Sequence, residues 1–501
     1  MTSPLHIGSR RELLVDHHLI DRMDRAYLTL HHPQPQEVAL TCDAPWETGG
    51  PGYPTVFYDE NLYRMYYRVS PAEGCEDNDE RQLTCYAESD DGVRWRKPEL
   101  GLFEVQGSTR NNVVWRGLMS HNLTPFRDDN PDCPPEQRYK AVGGSSTKWG
   151  GEGLCILVSP DGIRWHRSVD QPLALTGNFD SQNVVFWDRI DACYRAYWRD
   201  HRVADPIVPD GRDVRTAVSP DLIHWDEPQW LAYVPNRSGS PERDQTDDPT
   251  GDHHQFYCNG VLQYHRAPGF FLGLPQRYVD RGWTASTDAL PDVERRRALA
   301  DKGIRGGRPT RLGTVMTDVL FMVSRDGHRF FVWPEAFVWP GIQRPGSWYY
   351  GDAWYSWGLV ETASRYPGAP AELSLYIQER ENRDGPGRLR RHTLRLDGFA
   401  SVYAPLSGGA MITKPLIFSG NRLEINFATS AGGRLRLEIQ DEQGTPIPGF
   451  ALDDCHLQYG DQLDRVVAWR GGTDVGALAG RPVRLRFELK DAHVFALQCW
   501  I

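Results

Sequence analysis

The chain has 501 residues, 11% of them aromatic, and a formal net charge of −11. That length exceeds what one small hydrophobic core needs, so we expect two domains. The acidic balance and the absence of a Lys/Arg-rich run argue against nucleic acid and membranes as partners. No apolar stretch is long enough to span a membrane, no signal-peptide core is present, and the nine cysteines form no C-x-x-C pair. We therefore expect a cytoplasmic protein with reduced thiols.

A short phrase of the pattern Ser-x-Asp-Gly-apolar-Arg-Trp occurs four times, loosening in the last two copies, at 89–95, 159–165, 219–225 and 324–330. Asp-Gly after an apolar run is typical of a tight hairpin turn, because Gly accepts positive φ and Asp binds its own backbone. A fixed phrase at long intervals indicates stacked copies of one β-unit. The pattern predicts the blades of a β-propeller, whose default functional site is the mouth of its central channel.

The elements in chain order give five blades. Blade one begins with a hairpin around Asp59, blade two runs from Asn111, and blade three begins at Phe179. Blade four begins at Phe256 and carries an insertion, 288–302, with the composition of a helix. Blade five rests on the weaker hairpin 372–379 to 388–396. Because propellers avoid open sheet edges, we expect the N-terminal segment 12–16 to supply a strand that closes the last blade.

Beyond Phe399 the pattern changes to strict alternation of polar and apolar residues, over 422–427, 434–439 and 481–489. This is the period of strands with one wet face, and about 95 residues of it indicate a β-sandwich. The predicted fold class is therefore all-β, with a five-bladed propeller over 1–404 and a β-sandwich over 405–501. An oligomer contact, if the protein forms one, is expected on the sandwich.

The layout of the whole chain resembles the invertase-like glycoside hydrolases (family 32), which join a five-bladed propeller to a C-terminal β-sandwich. The blade-one phrase 56–67, Val-Phe-Tyr-Asp-Glu-Asn-Leu-Tyr-Arg-Met-Tyr-Tyr, is similar to that family's first hairpin, and Arg199-Asp200 looks like its sugar-holding Arg-Asp pair. Arabinanase/xylosidase-like hydrolases and mannoside phosphorylases also use five blades. The chain departs from the invertase pattern at 49–54, Gly-Gly-Pro-Gly-Tyr-Pro, where that family has its nucleophile segment, and it has no counterpart of the family's Glu-Cys acid motif.

Residues that open the innermost strands should converge on the propeller axis, and carboxylates, amides and rings there would suit a sugar. The polar patch before the buried run 184–187 makes Asp180 the first candidate for catalysis. The other catalytic candidates are Asp200, Glu361 and Asp352. The candidate substrate-binding residues are Glu47, Tyr53, His121, Asn122, Gln182, Asn183, Arg199, Tyr257, Asn259, Arg277 and Trp354.

Three functions remain open at this stage. A glycoside hydrolase acting on a small oligosaccharide or glycoside needs two carboxylates across the scissile bond. A glycoside phosphorylase would instead pair one carboxylate with an Arg/His cluster, and a non-catalytic sugar-binding propeller would need neither. A six-bladed sialidase shares the repeated phrase, but five blades are counted. No cofactor or metal site is expected, with an axial divalent cation as the open alternative; His253-His254 lacks a third ligand.

Overall fold

We describe the fold from a computed structural model, which covers residues 3–70, 81–145, 152–168, 171–202, 211–235, 255–301, 312–379 and 385–500. Strands dominate, as the alternating sequence predicts. The N-terminal segment forms five strands: β1 (Leu5–Gly8), β2 (Arg11–Leu13), β3 (Ile20–Asp24), β4 (Tyr27–Leu30) and β5 (Gln34–Thr41). The His253-His254 pair considered above lies outside the described residues.

The next three sheets are four-stranded antiparallel blades in which sequence neighbours pair. Blade one comprises β6 (Gly52–Asp59), β7 (Leu62–Val69), β8 (Leu83–Ser89) and β9 (Val113–Arg116). Blade two comprises β10 (Thr124–Arg127), β11 (Tyr139–Ser145), β12 (Gly153–Ser159) and β13 (His166–Arg167). Blade three comprises β14 (Val184–Asp188), β15 (Cys193–Arg202), β16 (Gly211–Ser219) and β17 (Gln229–Trp230). The segment from Asn111, predicted to start blade two, instead forms the outer strand of blade one.

Blades four and five have the same antiparallel order, with additions at their edges. Blade four comprises β18 (Ala232–Pro235), β19 (Gln255–Phe256), β20 (Leu262–Gln263), β21 (Phe271–Gly273), β22 (Gln276–Asp280), β23 (Val315–Ser324) and β24 (Arg329–Val338). Its predicted helical insertion forms two helices, α1 (Ala285–Asp288) and α2 (Val293–Asp301). Blade five comprises β25 (Trp354–Tyr355), β26 (Val360–Thr362), β27 (Glu372–Glu379) and β28 (Arg388–Arg395), with β5 at its outer edge. In the described ranges, three short 3₁₀ turns add to these helices: Leu118–His121, Pro135–Gln137 and Gly476–Leu478.

The closing strand of the ring comes from the N-terminal segment, but not from the residues predicted for it. β5 pairs with β28, whereas residues 11–13 pair with the last strand of the C-terminal sheet. The inner strands of blades five and one also meet directly, through the bridge between Thr55 and Trp357. Gly358 follows at φ +119, and a Cβ there would lie 1.8 Å from the Val56 carbonyl oxygen, so this close approach requires glycine.

The remaining strands form a single hydrogen-bonded sheet: β29 (Ala400–Ala404), β30 (Gly409–Thr413), β32 (Arg422–Gln440), β33 (Asp461–Val466) and β34 (Arg484–Trp500), joined by β2, β3 and β4, while β31 (Leu416–Phe418) pairs with β1. The central strand β34 pairs along one side with β32. Since β2, β3, β4 and β29 belong to this sheet, strand pairing does not follow the predicted division at residue 405. The eight described cysteines form no disulfide with one another.

The repeated phrase forms the same turn in all four copies, between the third and fourth strand of a blade. In the first, Ser89 Oγ accepts from the Gly92 amide (2.9 Å), and Asp91 Oδ1 accepts from two further amides (2.8 Å each). The third copy keeps these bonds with Leu222 at φ +69 in place of glycine. The predicted hairpin chemistry is therefore present at each copy.

Three of these turns also join neighbouring blades through a buried tyrosine. Tyr66 of blade one donates to the Gly162 carbonyl of blade two (2.9 Å), and Tyr197 of blade three donates to that of Gly327 in blade four (2.8 Å). Across the seam, Tyr376 of blade five donates to the Gly92 carbonyl of blade one (2.5 Å). The motif thus supplies both the turn and the acceptor that the adjacent blade binds.

Replacing the tyrosine at the seam, Tyr376→Phe, should lower the free energy of unfolding by about 1 to 2 kcal/mol, because a buried carbonyl loses its donor. Urea unfolding measures the change. Tyr459→Phe is the matched control, since that side chain is exposed. Equal stability of the two variants would show that the seam does not depend on this bond.

Candidate functional site

At or shortly before the start of the inner strand, or within it in blade four, each blade places a side chain at one end of the propeller axis. Tyr53, His121, Asp180, Tyr257 and Trp354 come from blades one to five in that order, and Arg199 of β15 joins them. We call these six residues the mouth cluster. Sequence reasoning selected all six, and the structure brings them together.

The cluster is a closed circuit of contacts around the axis. The Tyr53 ring lies 5.6 Å from that of His121 and stacks on Trp354 at 5.2 Å. Trp354 in turn lies 5.5 Å from Tyr257, and the Arg199 guanidinium lies 4.5 Å above the Tyr257 ring. Asp180 completes the circuit between Arg199 and His121. Aromatic faces beside polar groups are the composition that binds a sugar ring.

Asp180 accepts two hydrogen bonds from charged or polar side chains. His121 Nε2 lies 3.1 Å from Oδ1, and Arg199 Nη2 donates to Oδ2 at 2.8 Å. Burial alone would raise the pKa of Asp180, but the bond to His121 and the charge of Arg199 outweigh it and hold that pKa well below its usual range. The side chain keeps 30% of its surface exposed. Asp180 is therefore an ionised carboxylate that a ligand can reach.

Arg68, at the end of β7, sets the orientation of His121. Its Nη1 donates to His121 Nδ1 at 3.1 Å, with the Gln82 amide oxygen 3.3 Å from the same nitrogen. An ionised carboxylate can only accept, so His121 Nε2 carries the proton that faces Asp180. The guanidinium also lies 4.9 Å above the Tyr53 ring. Arg68 therefore positions two members of the mouth cluster.

Sequence reasoning missed Arg68, although an internal comparison of blades would have found it. Arg68 and Arg199 each follow, by two positions, a tyrosine that binds the next blade's turn, Tyr66 and Tyr197. Residues two apart on a strand share a face, so both arginines reach the same end of the axis. Arg212, Tyr278 and Tyr350 were also missed; Arg212 lies 4.7 Å above the Tyr278 ring, beside Tyr257.

Backbone strain accompanies the cluster. Tyr53 has φ +43, and Phe179 and Ala353, which directly precede Asp180 and Trp354, have φ +54 and +58. Non-glycine residues in this region cost about 1 to 3 kcal/mol each and concentrate where a side chain must be presented for function. In three of the five blades, a strained residue therefore orients a side chain of the mouth cluster: its own in the case of Tyr53, and that of the following residue in the other two.

The predicted amides are buried but serve the backbone. Asn122 Nδ2 donates to the Gly144, Phe179 and Ser181 carbonyls, and Asn183 Nδ2 to the last two of these. Asn259 fixes its own turn by accepting from the Val261 amide. Gln182 Nε2 donates into blade one. These four residues hold the inner strands in place.

Four other candidates lie away from the cluster. Glu47 is buried against Tyr67 (2.5 Å) and Lys97 (2.5 Å), and Arg277 forms an ion pair with Asp318. Asp200 follows Arg199 and so faces the opposite side of its strand, toward Arg215 (3.5 Å). Asp352 lines a cleft between blades four and five with Arg390.

Glu361 is placed at the other end of the axis, 2.9 Å from His265. The mouth cluster therefore contains one of the four predicted catalytic carboxylates. Among the described residues, no group of three or more His, Cys, Asp or Glu side chains is arranged to hold a metal ion. No helix in the described part of the chain is long and apolar enough to cross a membrane.

No family model matches the chain, and no curated protein matches it. Several solved structures are similar to it. A glycoside hydrolase has 14% identity and a TM-score of 0.43, over 72% of this chain and 92% of that one. An N-acetylgalactosamine deacetylase from F. plautii, in complex with a blood group B trisaccharide, has 14% identity and a TM-score of 0.40, over 74% and 96%. A fructofuranosidase variant from Schwanniomyces occidentalis, in complex with fructosylnystose, has 10% identity and a TM-score of 0.37, over 99% of both chains.

Because all three TM-scores are below 0.5, the site is interpreted from this chain's own residues. Those residues place an ionised carboxylate, two arginines and a wall of aromatic rings at one end of the axis of a five-bladed propeller.

The pKa of Asp180 leads to a prediction about stability and pH. Because its folded pKa is lowered, the carboxylate favours the folded state above its unfolded pKa of about 3.9, and that contribution is lost as the pH falls toward the folded value. Asp180→Asn should therefore lower the free energy of unfolding by about 2 kcal/mol at neutral pH, and by less below about pH 4. Urea unfolding from pH 3 to 8 measures the difference. A difference that grew on acidification would contradict the assignment.

Proposed function

We propose that this chain is a glycoside hydrolase that binds a small oligosaccharide or glycoside in the mouth cluster and uses Asp180 to cleave it. The observation that supports this most is the position of Asp180: an ionised, accessible carboxylate on the axis, facing rings supplied by blades one, four and five. In glycoside hydrolysis, such a carboxylate either attacks the anomeric carbon or takes a proton from the water that does. Asp180 suits these roles and not that of the acid, because its lowered pKa keeps it ionised.

The surrounding residues have separate roles in this proposal. The Nε2 proton of His121 and the guanidinium of Arg199 fix the two carboxylate oxygens, so one lone pair can be aimed at the substrate. The rings of Tyr53 and Trp354 stack on each other and are only 4% and 3% exposed, so they would form the buried apolar wall beside a sugar held at Asp180. The buried Trp354 Nε1 has no hydrogen-bond partner among the described residues and would donate to a sugar hydroxyl.

The activity test uses purified protein with a panel of aryl glycosides and small furanosides and pyranosides. We expect Asp180→Asn to lower kcat at least a hundredfold, since it removes the group that acts on the anomeric carbon or on water. Asp200→Asn is the matched control: it removes a carboxylate from the adjacent strand segment but outside the mouth cluster. Equal loss in both variants, or none in either, would contradict the role of Asp180.

Aryl glycosides whose phenols differ in acidity test whether the protein protonates the leaving oxygen. No second carboxylate lies in the mouth cluster among the described residues, so no general acid is at hand there. A glycoside of an acidic phenol, which can leave unprotonated, should therefore be cleaved faster than an alkyl glycoside. The expected result is a steep rise of kcat/KM with leaving-group acidity. A flat dependence would indicate that an acid outside the mouth cluster protonates the leaving oxygen.

Phosphorolysis is a second candidate, favoured by the excess of positive charge. Arg68, Arg199 and Arg212 lie around the mouth with one carboxylate, Asp180. Guanidinium groups bind phosphate oxygens in pairs, and phosphate would then replace water as the attacking group. A sugar 1-phosphate product formed only with added phosphate would establish this reaction; turnover independent of phosphate would exclude it. Saccharide binding without any turnover would indicate a non-catalytic propeller.

A further inference from the structure

A second cavity lies at the opposite end of the propeller axis, where the inner strands end. Its volume is about 520 Å³, and every blade contributes to it, through residues within 56–58, 126–129, 186–189, 262–265 and 357–361. Pockets of this size are typical of small-molecule sites. We call it the axial cavity. None of its residues belongs to the mouth cluster.

Two side chains close the channel between the axial cavity and the mouth. Gln182 of blade three reaches blade one, where its Nε2 donates to the Tyr53 and Pro54 carbonyls at 3.2 and 3.1 Å. Blades three and one are not neighbours, so this side chain crosses the axis. Trp357 of blade five donates to the Val261 carbonyl of blade four at 2.8 Å. The axial cavity is therefore a separate chamber and not the floor of the mouth.

The floor of the axial cavity is apolar and its rim is aromatic. Phe126, Phe186 and Trp357 are buried at the floor, whereas Tyr58 is 49% exposed and Trp187 is half-buried. Rings with accessible faces around a concave surface supply the stacking contacts that an apolar sugar face needs. The aromatic content alone would fit many apolar ligands, so the polar groups decide the class.

Two carboxylates in the rim are each hydrogen-bonded or ion-paired to basic side chains and remain accessible. Asp129 lies between Arg127 (3.2 Å) and Arg189 (2.6 Å), with 27% of its side chain exposed. Glu361, 36% exposed, pairs with His265 at 2.9 Å, and this hydrogen bond lowers the pKa of its carboxyl group. With two arginines and two carboxylates the rim is formally neutral. The rim therefore places hydrogen-bond donors and acceptors side by side, as the neighbouring hydroxyl groups of a sugar require. A rim without net charge does not favour a strongly charged anion or cation.

We propose that the axial cavity is a second saccharide site, which binds a mono- or disaccharide through Trp187, Tyr58 and the paired carboxylates Asp129 and Glu361. The site does not share residues with the mouth, and it stands whether or not the mouth carries out catalysis. With a saccharide site at each end of its axis, the propeller could bind two parts of one glycan. Alternatively, the mouth would bind the reacting sugar while the axial cavity binds a second sugar as an effector.

Saccharide binding is tested by saturation-transfer NMR and calorimetry with glucose, galactose, mannose, arabinose, fructose, sucrose and maltose. Two variants alter the axial cavity: Glu361→Gln, which keeps the shape, and Trp187→Ala, which removes a ring. Glu99→Gln and Trp283→Ala are matched controls, since these two side chains lie outside both sites. Arg199→Met alters the mouth. Thermal unfolding confirms that each variant is folded.

We expect at least one sugar of the panel to bind, with affinity reduced tenfold or more by both axial variants and unchanged by both controls and by Arg199→Met. Sugar binding that is lost only in Arg199→Met would place all saccharide in the mouth and overturn the proposal. Absence of binding by every sugar would overturn it as well. If the wild-type protein binds a sugar in the axial cavity but turns over no substrate of the activity panel, only the proposed function is contradicted, so the two failures are distinguishable.

Discussion

The hydrogen-bonded carboxylate of Asp180 is the interaction on which the mouth depends. It joins a side chain of blade two, His121, to one of blade three, Arg199, at the point where five strand starts meet. A carboxylate at this depth is costly unless it is paired, and pairing with two donors keeps it ionised. The same pairing fixes its direction. The charge, position and orientation of the Asp180 carboxylate therefore come from one set of contacts. Arg68 contributes indirectly, because it contacts His121.

The two ends of the inner strands give the propeller two unlike chambers. At their starts, one side chain per blade points toward the axis, in three blades at or directly after a strained residue; at their ends, apolar residues form a floor with a neutral polar rim. Gln182 and Trp357 separate the chambers by bonds between blades. Farther out, the tyrosine bonds to the repeated turns hold successive blades in register. The ring is thus closed at its seam, at its turns and across its axis, which is the rigidity that a pre-organised site requires.

The sequence predicted the repeated turns, the five blades and the six residues of the mouth cluster, because each follows from a local pattern. A Ser-x-Asp-Gly phrase carries its own hydrogen bonds, and a polar residue at a strand start is visible without a partner. What failed needed long-range information. Glu47 and Asn122 are polar residues near strand starts too, but their partners, Lys97 and the Phe179 carbonyl, are distant in the chain.

Prediction of the fold failed at the same kind of point, where strands that are distant in the chain pair with each other. The closing strand is predicted at 12–16 because a propeller avoids an open sheet edge, yet residues 11–13 pair in the C-terminal sheet, and β5, with a partly polar pattern, closes the ring. Arg68 was missed because its role depends on His121 of the next blade. The predicted placement of Glu361 failed because a strand has two ends, and a motif alone does not indicate which one faces the site.

The most direct test of the central claim is a crystal structure of the Asp180→Asn variant with an oligosaccharide from the activity panel. If Asp180 acts at the anomeric carbon, the variant will hold uncleaved saccharide in the mouth, with a ring stacked against Tyr53 or Trp354 and the scissile bond within reach of residue 180. A saccharide bound elsewhere, with the mouth cluster unchanged around its hydrogen bonds, would contradict the account.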